Sequence, residues 1–196
     1  MITPFTTLPP QAGIGLRHPH HHEVLASAPA VAWWEVHSEN FFAESGVTAK
    51  FLQVVAEQYP LSLHGVGASL GGADTLFERH LDRLAKLVER VQPAAVSEHL
   101  CWSAVGESHL NDLLPLPYTR AALALVGERI NRLQTRLKRR ILIENVSSYL
   151  RWQGAEMTEW DFLVAAAQRN GCGILLDINN IYPGCCIKRA SNAVSI

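Results

Sequence analysis

Hydrophobic residues fall along this chain in two kinds of run that alternate. The first kind is short and nearly continuous: Gly13 to Arg17, Trp33 to Val36, Leu61 to Val66, Ala94 to Leu100, Arg140 to Ile143 and Gly173 to Ile178. Such runs read as strands buried on both faces, because little alternation is left for a solvent side. The second kind repeats at helical spacing. Phe51, Leu52 and Val55 form a stripe within Val47 to Tyr59 that Pro60 stops, and Phe77, Leu81, Leu84, Val88 and Val91 form another within Asp74 to Val91. Leu123, Val126, Ile130, Leu133 and Leu137 make a third behind a capping Thr119, and Thr158 with Asp161 opens a last helix that ends at Asn170 and Gly171. A short helix is expected over Glu23 to Ala28. Strand and helix in regular succession predict an α/β fold of the TIM (β/α) barrel type, incomplete, with about six of eight strands and about five helices. The segment from Cys101 to Thr119 is read as one long loop, a lid or substrate wall.

The strands end on chemistry. His64 closes the third, His99 the fourth, Glu144 and Asn145 the fifth, and Asp177 with Asn179 the sixth. A parallel barrel gathers such ends on its top face. Two histidines and two carboxylates are a hard-to-borderline donor set suited to iron, manganese or zinc. With a period of two, Ser97 and His99 share one face of the fourth strand and Glu98 takes the other; Glu35 and His37 likewise share a face of the second, and Asp177 and Asn179 of the sixth. His37, Asn40, Asn111, Asp112, Asn145 and Asn179 are candidates to support the ion or to touch substrate. Lys50, Lys86, Lys138 and Lys188 all fall on helices or the tail, so no strand end offers a Schiff-base amine. The run His18 to His22 holds four histidines in five residues, but Pro19 interrupts it, and it reads as an exposed loop that picks up metal adventitiously.

Composition narrows the class. The 196 residues are 48% hydrophobic and 18% charged, which suits one globular domain. A net charge of -1 and the lack of clustered basic and aromatic residues argue against nucleic acid. The basic stretch Arg136 to Arg140 sits at a helix C-terminus, where cations suit the dipole. No signal-like leader and no apolar run of spanning length is seen, so a cytoplasmic protein is expected, without a membrane. The four cysteines, Cys101, Cys172, Cys185 and Cys186, have neither zinc-site nor disulfide-framework spacing.

EVHSENFF, PLSLHGVGASLGG, SEHLCWS, LNDLLPLPYT, RILIENVSSYL, TEWDFL and GCGILLDINNIY together resemble a bacterial family of xylose-isomerase-like barrels grouped with multinuclear non-haem iron-dependent oxidative enzymes of the methanobactin-biosynthesis type. The likeness covers nearly everything from Gly13 to Tyr182. It implies two or three iron ions in intact members, at most partly present here, with His64, His99, Glu144 and Asp177 at metal-site positions. It also implies a peptide substrate whose cysteine is modified, and a separate recognition protein. Members continue beyond the sixth strand with further His, Asp and Glu residues that do not follow here. The expectation is therefore a truncated, inactive and marginally stable member, with 1–182 as a partial barrel and 183–196 as a divergent tail. Two other readings stay open: a divalent-metal sugar isomerase or endonuclease-like barrel, and a non-catalytic binding fragment. Isomerases of this shape generally place a lysine near the metal, and nucleases need a basic face; neither is visible in the sequence.

Overall fold

The computed structural model describes residues 7–72, 76–105, 108–150 and 152–181. Its frame is a six-stranded parallel sheet with order β1-β2-β3-β4-β7-β8, made of β1 (Ile14–Gly15), β2 (Trp34–His37), β3 (Leu61–Gly65), β4 (Ala95–His99), β7 (Leu142–Glu144) and β8 (Gly173–Leu175). The α-helices lie between them: α1 (His21–Ser27), α2 (Val47–Gln58), α3 (Leu76–Val91), α4 (Arg120–Leu137) and α5 (Glu159–Asn170). Each strand pairs in parallel with the next in the order, as strand–helix–strand crossovers require.

All five residues of β3 and all five of β4 are buried, because one face of the sheet lies under the helices and the other looks into the barrel. The helix side is mostly apolar: Trp34, Val36, Leu61, Leu63, Val96 and Ile143 meet the stripes of α2, α3 and α4 in one core. Thr119 and Thr158 cap α4 and α5 as expected, each hydroxyl accepting a backbone N–H three residues on at 3.1 Å. The basic end of α4 does more than suit a dipole, since the Arg139 guanidinium donates to the carbonyls of Pro93 (2.7 Å) and Ala94 (3.2 Å) and ties α4 to the entry of β4.

Three expectations are corrected. The long loop after β4 is an antiparallel hairpin, β5 (Trp102–Val105) with β6 (Ser108–Leu114), irregular between Trp102 and Ala104. Its charged and amide residues hide the strand pattern because one side of the ribbon faces the cleft. The sixth strand stops at Leu175, and residues 178–181 are helical, so Asp177 and Asn179 do not share a strand face. Helix α1 begins at His21, not Glu23, and the His21 ring stacks on Phe51 with centroids 3.8 Å apart, a packing role for part of the histidine run. The expected tail at 183–196 lies outside the described residues, and so does the first part of the helix expected over Asp74 to Val91, at 74 and 75.

Candidate metal centre

Paired residues in neighbouring parallel strands face the same way, so register decides what meets. His37 pairs with His64, His64 with Ser97, and His99 with Glu144, which sets all five on the inner face at the C-terminal ends of the strands. His64 Nε2 lies 2.9 Å from His99 Nε2 and 3.3 Å from Glu144 Oε2, while His99 Nδ1 lies 3.8 Å from the same oxygen. One ligand atom from each of His64, His99 and Glu144 can be chosen so that all lie within 4.8 Å of one another. All three residues are buried.

The surroundings leave both imidazoles in a form that could serve as ligands. His64 Nδ1 and the Ser97 hydroxyl are 2.8 Å apart, an orientation that leaves Nε2 pointing into the site. His99 Nδ1 is a buried polar atom with no hydrogen-bond partner. Burial, helped by the neighbouring His99, His37 and Arg17, pushes the His64 imidazolium down to about 3, and burial with His37 pushes His99 down to about 4. Both rings are thus neutral near pH 7, the form that binds metal. Glu144 moves the other way, to about 8, through burial, then the charges of Asp177 and Glu35 and a hydrogen bond with Asp177. Without a cation it holds a proton; a bound ion would replace that proton. A convergent set of neutral imidazoles and a carboxylate, one ring nitrogen lacking a partner, fits a divalent first-row ion.

The other candidates separate by position. Asp177 reaches Glu144 but falls outside the three-residue set, and its Oδ1 accepts the N–H groups of Asn179 (2.7 Å) and Asn180 (3.2 Å), capping the helical turn. Asn145 is buried and clamps the backbone of Asp177, with both hydrogen bonds at 2.9 Å, so it holds the loop rather than pointing at the cluster. Asn179 is exposed on the rim. Asn111 and Asp112, on β6, and His37 line a cleft of ≈ 1060 Å³ above the cluster, and Tyr149 donates to Asp112. Asn40 is exposed and does not line that cleft. Arg17, to which sequence reasoning assigned no chemistry, does line it; an arginine one residue past Leu16 on the first strand was the available signal. The described cysteines, Cys101 and Cys172, are buried and burial raises both thiols, that of Cys172 to about 11, which leaves them inert as nucleophiles.

Sequence reasoning also missed a second polar cluster. Glu98 faces the helix layer, where Glu39, in the turn Ser38–Phe41 after β2, and His80 of α3 meet it. Burial, then the charge of Glu39, raises the Glu98 carboxyl well above its usual range.

Comparison with known proteins gives the family of the chain. A UPF0276 protein of Chromobacterium violaceum is 50% identical over 177 residues, 90% of this chain and 64% of its own length. Another from Psychromonas ingrahamii is 44% identical over 170 residues, 87% of this chain and 60% of its own length. The chain therefore spans about three-fifths of the length of these relatives. The crystal structure of SacUVDE overlays with a TM-score of 0.50 at 13% identity, covering 92% of this chain and 68% of that one, a likeness of fold alone. The family model for the RiPP precursor modification enzymes MbnB/TglH/ChrH matches residues 11–193, and the chain belongs to that family.

Proposed function

We propose that this chain binds one iron ion through His64, His99 and Glu144, with Asp177 beside them, as the core of a site that modifies a cysteine in a ribosomally made peptide. The observation that carries the reading is the convergence of these side chains at the strand ends, under an open cleft, in a chain of a precursor-modifying family. Iron bound there would supply the redox chemistry for oxidising a thiol with dioxygen. The protein's own part is to orient the ligands and receive the peptide. Ser97 holds the His64 ring, Asn145 holds the loop that carries Asp177, and Glu144 surrenders a proton as the cation enters. Arg17, His37, Asn111, Asp112 and Tyr149 line the cleft, with Arg17 suited to an acidic or carboxylate group of the peptide.

His64, His99, Glu144 and Asp177 suffice for one ion at this centre, whereas the chemistry of the resembling enzymes is multinuclear. Metal binding without oxidative turnover by this chain on its own follows, as does a separate protein that delivers the peptide. The test is anaerobic loading with Fe(II), iron counting after desalting, and oxygen uptake with a cysteine-containing peptide. Iron is expected to be retained, with about one iron per chain lost in Glu144→Ala, and no peptide-dependent oxygen uptake is expected. Failure to retain iron would sink the metal reading, and peptide oxidation by the chain alone would sink the inactivity.

A further inference from the structure

On the helix side of the sheet, behind the candidate centre, Glu39, His80 and Glu98 bring three ligand atoms within 4.8 Å of one another. Strand register sets this up. Glu98 pairs with Gly65, so its side chain leaves the sheet on the face opposite to His99 and enters the layer beneath α3. Sterics fix the packing: a Cβ on Gly65 would lie 2.1 Å from Glu98 Oε2, and one on Gly67 would lie 3.1 Å from Glu39 Oε1 and 3.2 Å from the His80 ring. The two glycines of the stretch HGVG thus leave room for two carboxylates and an imidazole.

The distances are wrong for hydrogen bonds and right for ligands. His80 Nε2 is 3.7 Å from Glu39 Oε1 and 3.7 Å from Glu98 Oε2. With metal–ligand bonds of about 2.0–2.2 Å, neighbouring ligand atoms of a tetrahedral site stand roughly 3.3–3.6 Å apart, close to these separations. Glu98 is 2% exposed, and its Oε2, aimed into the cluster, has no hydrogen-bond partner; Glu39 Oε2 is likewise a buried oxygen without one. Backbone anchors both carboxyls: Glu39 Oε1, the oxygen 3.7 Å from His80 Nε2, accepts from the N–H groups of Val66 (2.9 Å) and Gly67 (2.8 Å), which leaves Oε2 as its open oxygen, and Glu98 Oε1 accepts from the N–H of His99 (3.3 Å). Two carboxylates drawn out of water are costly unless their charge is met. A dication with one neutral imidazole makes the group neutral as a whole.

We infer that Glu39, His80 and Glu98 form a second, structural site for a divalent first-row transition ion such as zinc or manganese, distinct from the His64, His99 and Glu144 centre. Three protein ligands of this oxygen and nitrogen type leave one position for water. The ion would pin α3 and the turn after β2 to the end of β3, the loop of which borders the cleft at Val66.

The test separates the two sites by mutation. The chain and a His64→Ala/His99→Ala variant are stripped with chelator, reloaded with Zn(II), desalted and assayed for metal by mass spectrometry. The double variant is expected to retain about one zinc per chain, and addition of Glu98→Gln to remove it; Glu39→Gln should weaken binding at least about tenfold. A double variant that holds no zinc, or a residual zinc indifferent to Glu98→Gln, overturns the proposal. Should these variants fold poorly, anomalous scattering from zinc-loaded crystals of the unaltered chain decides. A peak within bonding distance of His80 Nε2 and Glu98 Oε2 is expected, and a peak confined to the His64 centre refutes it.

Discussion

Ser97 carries no metal-binding chemistry of its own, yet the orientation of His64 depends on it. Ser97→Ala should weaken ion binding at the His64 centre by about 10–100-fold while leaving the far-ultraviolet circular dichroism unchanged, as measured by competition with a chromophoric chelator. Glu144 adds a pH dependence whose sign follows from its raised value. Below about 8 the carboxyl keeps its proton, and an entering cation must displace it; above about 8 the carboxylate is already free. His64 and His99 stay neutral down to about 3 and 4, so they release nothing over the range between. Affinity should rise roughly tenfold per pH unit from about 5 to 8 and then level off. A titration flat across that window would show that Glu144 does not hold the proton. At this scale the sequence was legible where a residue type sits at a strand end, as with His64, His99 and Glu144. It was opaque for Arg17 and His80, because nothing in the spacing of one helix or strand says what lies opposite.

Among the elements, the helix starts are local and the strand ends are not. Thr119 and Thr158 each satisfy a backbone donor that their helix leaves open, and replacing either by alanine should cost about 1 kcal/mol in urea unfolding. Gly65→Ala should cost more, about 1–3 kcal/mol, although alanine favours regular structure elsewhere, because the added methyl meets a carboxylate oxygen held in a packed layer. Adding Glu98→Ala to Gly65→Ala should recover part of that loss, a coupling that a merely weak strand residue would not give. Caps and apolar stripes were readable from a few neighbouring residues. The hairpin β5 and β6 was not, since its pairing joins residues whose alternation is broken by the irregularity at Trp102 and Ala104.

For the molecule as a whole, the parallel sheet has two outer sides. Among the described residues neither β1 nor β8 is paired beyond the order β1 to β8, and Ile14 (52%), Ile174 (40%) and Leu176 (54%) on or beside those strands are exposed. Unpaired edges with apolar side chains favour association. Sedimentation velocity should show mass rising with protein concentration, and Ile14→Lys with Ile174→Lys should reduce it. A monomer at all concentrations would mean that these edges are covered. No helix among the described residues is long and apolar enough to cross a membrane.

What the sequence by itself determined is the succession of elements and the side of each strand that a residue occupies, because the 3.6 and 2.0 periodicities are properties of the local backbone. From that alone the parallel α/β frame follows, as does the opposition of Glu98 to His99 on one strand. Tertiary structure decided which strand ends meet. Only register sets His99 beside Glu144 and His64 beside Ser97, turns Asp177 from a strand residue into the cap of a helical turn, and leaves Asn40 outside the cleft. It also brought together Glu39, His80 and Glu98, three residues from a turn, a helix and a strand that are separated along the chain and united by the burial of one helix on one sheet. Convergence of this kind is long-range packing, and no window of local sequence contains it.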